Sequence, residues 1–411
     1  MGKRTVLAGM MTIGMMVAAP TQAADEMTPR LVLEDHAFGR NRVQYEHESP
    51  VAWGSVAPRK HSFWLVPPAS EPAAPAPLCV VLHSAGGGGL EPFQPICEPH
   101  FQRGWYGDES FYVLSLECRN DDGWWWGASE VGSRPDAPGP TERRVLATVE
   151  WVASHFPVDR NRIYLNGISM GGSGTLGIGM NHGDIFAAAG VIVPAGVEHW
   201  RARFCGKEAP EPPPLLNISS QADGFAKGQE ELLAYFREHR YAVAFAWVPS
   251  GHAAFQIGKE NPQGFYDYPW LSIRKDAAYP VFTGATSDNR YPGLGNTTAP
   301  DQEGQINLQF RWRNVEDSGK RLAMELWLAG AGTTHGVTGG PTEATAEVTF
   351  RRVQRFPVKP GAAYAWRMTA GGQVRQEGRV TAAEAGTRGL IILPGVRMTH
   401  EAQALTVVPV N

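Results

Sequence analysis

Cysteine is scarce in this chain of 411 residues, which contains only four. They occur singly, with no C-x-x-C pair and no cluster of histidine with cysteine, the arrangements that zinc sites use. The sequence therefore predicts no metal site. The cysteines are Cys79, Cys97, Cys118 and Cys205.

A basic excess and a second long apolar run are also missing. The formal net charge is −4, so we expect no nucleic-acid partner and no binding to an anionic membrane. The one marked apolar run, residues 6–19, follows Lys3 and Arg4 and precedes small residues up to Ala23. This pattern is typical of a secretory signal peptide, and the run is too short to span a bilayer comfortably. We expect removal of residues 1–23 and a secreted or periplasmic protein without a membrane partner.

Export leads to an expectation of disulfides, because oxidising compartments allow them to persist. Four cysteines permit three pairings, and the sequence does not choose among them. Cys79 lies inside an apolar run and could equally be a buried thiol.

The most informative stretch is Gly167-Ile168-Ser169-Met170-Gly171. It follows an apolar run that predicts a buried strand, and a glycine-rich segment that could begin a helix comes next. Gly-x-Ser-x-Gly in this context predicts a nucleophile elbow, in which a tight turn exposes the serine hydroxyl. Gly167 and Gly171 lie two residues from the serine, where a Cβ would collide with a neighbouring element. An ordinary loop of glycine and serine is the alternative.

The order of apolar patterns predicts two domains. Between residues 78 and 248, continuous apolar runs alternate with helical spacing, which favours an α/β domain with a doubly wound, mostly parallel sheet. After about residue 279, apolar and polar residues alternate strictly, as in half-buried antiparallel strands. We expect an α/β catalytic domain over residues 24–278, with 31–77 as N-terminal strands and a proline-rich loop. Residues 279–411 should form a β-sandwich of immunoglobulin or fibronectin type III character.

A serine nucleophile needs a base, and the base needs an orienting acid. His252 is the best candidate base because it follows the last strand of the α/β pattern. Asp223 follows an earlier strand and lies between Ser169 and His252, in the chain order Ser, Asp, His. Functional groups gather at the carboxyl ends of parallel strands, so we expect these three to meet. A helix N-cap is the alternative role for Asp223.

The developing oxyanion needs two backbone donors. Met170 N–H and Ala85 N–H are the candidates, the latter in a loop that contains Gly86 to Gly89. A phosphate cradle is unsupported because no G-K-[ST] follows that loop.

Three consecutive tryptophans come shortly after another predicted strand end, and they cannot all point into one core. We expect at least one of them to line a substrate pocket, while core packing is the alternative. They are Trp124, Trp125 and Trp126.

The segments Val158-Asp159-Arg160-Asn161-Arg162-Ile163-Tyr164 and Gly167-Ile168-Ser169-Met170-Gly171-Gly172 resemble the α/β-hydrolase esterases. The similarity covers roughly residues 60 to 255 and is greatest to the group of polyhydroxybutyrate depolymerases, feruloyl esterases and acetyl xylan esterases. It implies the same nucleophile, acid and base. The sequence departs from that group at two places. The oxyanion loop of the family usually reads His-Gly, and here it is His83-Ser84. The family also usually has His-Gly ahead of the catalytic aspartate, whereas this chain has Ser219-Ser220-Gln221-Ala222 ahead of Asp223.

Together these features predict an exported serine esterase that works through an acyl-enzyme and requires no cofactor. Its expected substrates are feruloyl or acetyl esters on plant polysaccharides, or a polyester. One alternative is a serine peptidase resembling the prolyl oligopeptidase group, although the chain lacks the repeats of a β-propeller. Another is a polymer-binding surface protein with a vestigial hydrolase domain.

Overall fold

A ten-stranded mixed sheet organises the larger part of the chain. The structure, a computed structural model, describes residues 27–37, 40–55, 57–88, 106–119, 124–125, 138–200, 211–248, 251–252, 265, 267–289, 304–330, 340–385 and 388–410. Within these ranges no helix is both long enough and apolar enough to cross a membrane.

The strands of the large sheet are β1 (Arg30–Ala37), β2 (Arg40–Ser49), β3 (Arg59–Val66), β4 (Ala76–Leu82), β5 (Tyr112–Leu116), β6 (Val158–Ile168), β7 (Ala188–Ile192), β8 (Leu215–Ser220), β9 (Val243–Val248) and β11 (Gly304–Ile306). Their spatial order is β1-β2-β3-β5-β4-β6-β7-β8-β9-β11. From β5 to β9 all neighbours are parallel, and the strands at both edges are antiparallel. This mostly parallel sheet fits the α/β-hydrolase fold expected from the sequence.

Among the residues that the structure describes, three helices pack on the sheet: α1 (Pro140–His155), α2 (Met170–Gly179) and α3 (Gln229–His239). The predicted apolar face of α1 is confirmed, since Val145, Val149 and Val152 are all buried. Helices α1 and α3 contribute to apolar clusters on the same face of the sheet, because Leu165 and Ala189, which belong to these two clusters, are register partners. A separate cluster that contains Tyr164 and Ala188 covers the other face. The central strands are buried throughout, which explains their continuous apolar runs. Single turns of 3-10 helix occur at Val51–Trp53, Val197–Trp200, Gly224–Ala226 and Trp270–Ser272.

The C-terminal part forms two further antiparallel sheets that share one core. The three-stranded sheet contains β10 (Tyr279–Thr283), β14 (Glu343–Arg351) and β19 (Ile392–Thr399). The five-stranded sheet contains β12 (Phe310–Asp317), β13 (Leu322–Leu328), β20 (Gln403–Pro409), β15 (Ala363–Ala370) and β16 (Gln373–Thr381). A small hairpin joins β17 (Ala383–Ala385) to β18 (Arg388–Leu390). The alternation predicted in β13 is confirmed, and its buried residues contact those of β14 and β19 in the shared core.

Two consecutive arginines at the end of β14 attach these sheets to the α/β part. Arg351 donates to the carbonyls of His239 and Arg240, just before β9. Arg352 donates to the Ala187 carbonyl, just before β7, at 2.8 Å. These acceptors lie at the amino ends of parallel strands. The C-terminal sheets therefore dock at the end of the large sheet opposite to the carboxyl ends of its strands.

The cysteines within the described residues correct part of the disulfide expectation. Cys79 and Cys118 are buried thiols and are not disulfide-bonded. The Asn166 side-chain amide donates to Cys79 Sγ at 2.9 Å, and burial raises the pKa of the Cys79 thiol. Cys79 belongs to an apolar strand in the sheet centre, so packing explains its presence. Cys97 and Cys205 lie outside the described residues.

Candidate active site

Ser169 occupies a sharp turn between β6 and α2. Its φ of 54° and ψ of −116° place a non-glycine residue in a conformation that L-amino acids rarely adopt. Backbone bonds hold it there: Ser169 N–H donates to the Ile192 carbonyl at 2.9 Å, and Ala195 N–H donates to the Ser169 carbonyl at 3.0 Å. Strained residues of this kind persist only where surrounding structure fixes them, and they concentrate at functional sites.

The flanking glycines permit this turn for steric reasons. A Cβ on Gly167 would overlap the backbone of Gly171, one turn into α2. A Cβ on Gly171 would overlap the carbonyl oxygen of Leu82, the last residue of β4. The backbones of β6, α2 and the end of β4 are therefore in direct contact, with no side chain between them. This is the close packing that the Gly-x-Ser-x-Gly pattern predicts.

His252 and Asp223 complete a hydrogen-bonded chain with the serine. Ser169 Oγ lies 2.7 Å from His252 Nε2, and His252 Nδ1 lies 2.8 Å from Asp223 Oδ2. Asp223 is buried directly after β8, whereas the imidazole is partly exposed. Asp223 Oδ1 also accepts the Phe225 N–H at 2.9 Å, so the aspartate caps a 3-10 turn as well as holding the histidine.

Of the two candidate oxyanion donors, Met170 N–H directly follows Ser169, and Ala85 N–H lies in the turn that follows β4. Gly87 N–H donates to the Ser84 carbonyl at 3.1 Å, which closes a tight turn with Gly86 at φ +77°. Ala85 lies inside that turn, where the amide is not used by the turn's own hydrogen bond. Neither Ala85 N–H nor Met170 N–H donates to any residue that the structure describes. Both amides are thus available to an acceptor from outside the chain.

The tryptophans lie in different environments. Trp124 is 42% exposed. Trp125 is 0% exposed and donates its indole N–H to the His83 carbonyl at 3.0 Å. The expectation of substrate contact is wrong for Trp125, because a ring enclosed by the core has no surface to offer. Trp126 lies outside the described residues.

The sequence interpretation missed two residues near this site. Phe225 is 53% exposed, and its ring centre lies 5.0 Å from that of His252 in an edge-to-face arrangement. Its position two residues after Asp223 was the available signal. Glu117 is buried behind the turn that contains Ala85, and no local pattern marked it. Among the described residues, no group of three or more histidine, cysteine, aspartate or glutamate side chains is arranged to hold a metal.

No protein-family model matches this chain, and no curated protein matches it. Among solved structures, an S-formylglutathione hydrolase from Agrobacterium tumefaciens is 15% identical, with a TM-score of 0.43 over 59% of this chain and 98% of that one. A thermostable esterase is 19% identical, with a TM-score of 0.42 over 62% of this chain and 64% of that one. An acetyl xylan esterase from Aspergillus awamori is 16% identical, with a TM-score of 0.33 over 41% and 70%. Likeness at this level does not identify an activity.

Proposed function

We propose that this protein is a serine carboxylic-ester hydrolase. The observation that supports this most directly is the chain of short contacts from Ser169 Oγ to His252 Nε2 at 2.7 Å and from His252 Nδ1 to Asp223 Oδ2 at 2.8 Å. A hydroxyl, an imidazole and a buried carboxylate in this order form a nucleophile, its base and the group that orients the base.

In the proposed reaction, Ser169 Oγ attacks the ester carbonyl carbon while His252 Nε2 takes the hydroxyl proton. The carbon–oxygen bond to the alcohol then breaks, and the imidazolium returns that proton to the leaving alkoxide, which releases the alcohol. Water attacks the acyl-serine with His252 again as base, which releases the carboxylic acid and regenerates the serine. Asp223 holds the imidazole in place and stabilises the imidazolium at each stage.

The negative oxygen formed in each attack would be bound by Ala85 N–H and Met170 N–H. This assignment is supported by the lack of an acceptor for either amide among the described residues and by the contact between α2 and the end of β4. Preorganised donors of this type contribute most when charge develops, and losing one reduces turnover by about 10²- to 10³-fold in such enzymes.

For the substrate, we propose an ester that carries an apolar or aromatic group, such as a feruloyl or acetyl ester on a polysaccharide, or a polyester. The exposed Trp124 and the exposed Phe225 beside His252 support this choice. Exposed aromatic rings provide large contact areas for rings and polymer chains.

We also propose that residues 1–23 are a signal peptide, that 24–278 form the catalytic domain and that 279–411 form an immunoglobulin- or fibronectin-type sandwich. The division has one exception in the strand pairing, because β11 joins the large sheet beside β9. The sandwich docks at the amino ends of the parallel strands, whereas Ser169 follows the carboxyl end of β6. The proposed role of the sandwich is therefore to support the catalytic domain or to bind a polymer at a separate surface.

The test is hydrolysis by the purified mature protein of p-nitrophenyl acetate, methyl ferulate, acetylated xylan, polyhydroxybutyrate and an aminoacyl p-nitroanilide. Ser169→Ala should abolish ester hydrolysis and labelling by a fluorophosphonate while the melting temperature stays near that of the wild type. Ser154→Ala is the matched control, since Ser154 is exposed on α1, where it bonds to the Glu150 carboxylate and the Arg160 guanidinium, and it should retain full activity. Ester hydrolysis by Ser169→Ala at the wild-type rate would refute the proposal, and cleavage of the anilide alone would indicate a peptidase.

A further inference from the structure

Glu117 is a buried carboxylate close to the proposed active site that the triad does not use. It directly follows β5 and is 6% exposed. Burying a carboxylate is unfavourable unless hydrogen bonds and charges compensate it. Its contacts therefore indicate what the carboxylate holds in place, and they lead to both ends of the turn formed by residues 84–88.

The first end of this turn is held through His83. Glu117 Oε1 lies 3.1 Å from His83 Nε2, and Cys118 N–H lies 3.2 Å from the same nitrogen. The other ring nitrogen, His83 Nδ1, lies 2.8 Å from the Ser84 carbonyl oxygen, which also accepts the Gly87 N–H. The imidazole therefore links the end of β5 to the carbonyl on which the turn closes.

Gly88, at the end of the turn, packs against the other oxygen of this carboxylate, Glu117 Oε2. Glu117 Oε2 accepts a bond from the Arg119 guanidinium at 2.7 Å, and Glu117 Oε1 accepts the Arg119 N–H at 2.9 Å. A Cβ on Gly88 would lie 2.9 Å from both Glu117 Oε2 and Arg119 Nη2. Gly88 thus packs against this ion pair, and a side chain at this position would require the ends of Glu117 and Arg119 to shift.

The turn is also fixed relative to the serine. The Trp125 indole N–H donates to the His83 carbonyl at 3.0 Å. A Cβ on Gly171 would lie 2.9 Å from that same His83 carbonyl oxygen. A displacement of His83 would therefore change the distance between Ala85 N–H and the Ser169 turn.

From these contacts we propose that Glu117 is a positioning residue that sets the Ala85 amide for oxyanion binding, acting through His83 and the Arg119 pair. This inference rests on the proposed esterase function and deepens it. The carboxylate touches no reacting atom. Its effect appears in the transition state, because the oxyanion that the amide binds is absent from the bound ester.

The experiment compares Glu117→Gln with the wild-type enzyme on p-nitrophenyl acetate. Active sites are counted by fluorophosphonate titration, so that kcat is expressed per reactive Ser169. Gln preserves the shape of the side chain but removes the charge that holds Arg119. Displacement of an active-site group by about 1 Å can reduce turnover about 10²-fold, and we expect a fall in kcat of about 10- to 100-fold with KM changed less than about threefold. A trifluoromethyl ketone, which binds as an oxyanion, should lose affinity by the same factor as kcat.

Glu109→Gln is the matched control, because Glu109 is an exposed carboxylate shortly before β5 and should behave as the wild type. A purely structural role would lower the melting temperature and the titrated fraction while kcat per titrated site stayed unchanged, and that result would overturn the inference. An equal loss of affinity for substrate and for the ketone would overturn it as well. If the wild-type protein neither hydrolyses esters nor reacts with fluorophosphonate, the proposed function itself fails, which is a distinguishable outcome.

Discussion

His47 and His61 should make this protein sensitive to acid. They face each other across β2 and β3, and their ring centres are 5.6 Å apart in a stacked arrangement. Both are buried. Burial first, and then the positive charge of Arg144, lower the pKa of His47 to about 3. The same two causes lower the pKa of His61 to about 2, with smaller contributions from its neighbours, among which Glu117 acts in the opposite direction.

The magnitude follows from proton linkage. In the unfolded chain both histidines titrate near 6.5, so the unfolded state binds more protons than the native state as the pH falls below that value. The stability that the neutral histidines preserve is fully present above pH 6.5. It is lost progressively as the pH falls from 6.5 toward the native pKa values. At pH 5 each histidine should destabilise the fold by about 2 kcal/mol, since one pH unit corresponds to about 1.4 kcal/mol. Both native pKa values lie well below 5, so this result is insensitive to their exact positions.

The assay is urea denaturation at pH 7.5 and pH 5 for the wild type and for the double variant His47→Gln/His61→Gln. The free energy of unfolding of the wild type should fall between the two pH values by about 4 kcal/mol more than that of the variant. His36→Gln, which changes an exposed histidine on β1, should keep the wild-type pH dependence. If the double variant loses as much stability as the wild type between these pH values, the two histidines are not the cause and the reasoning is refuted.

Three further predictions concern the site and the domain junction. Gly171→Ala should prevent correct folding of the serine turn, because its Cβ would overlap the Leu82 carbonyl oxygen, and fluorophosphonate labelling should fall at least about tenfold. Phe225→Ala should raise KM for methyl ferulate by about 2- to 10-fold with little change for p-nitrophenyl acetate, a difference that steady-state kinetics would detect. Arg352→Ala should lower the free energy of unfolding by about 1–3 kcal/mol in urea titrations without changing kcat, since the Ala187 carbonyl that it binds lies at the amino end of β7.

Local sterics and strand order explain why the sequence alone could predict that Ser169, Asp223 and His252 lie together. The Gly-x-Ser-x-Gly pattern specifies a turn because only glycine fits at Gly167 and Gly171, and this requirement is visible within five residues. Each of the three side chains follows an apolar run, and the carboxyl ends of parallel strands meet at one edge of a sheet. The alternation of apolar residues in β13 likewise specified which face is buried, because successive side chains in a strand point to opposite faces.

Tertiary structure alone decided the features whose partners are distant in the chain. The sequence left pocket lining and core packing open for the three tryptophans, and Trp125 lies in the core, where its indole N–H meets a carbonyl 42 residues earlier. Glu117 carries no local signal, since its role depends on His83, 34 residues away. The docking of Arg352 on Ala187 spans 165 residues. Periodicity shows that a side chain faces inward, but it carries no information about which distant group it will meet, because that depends on how separate elements pack.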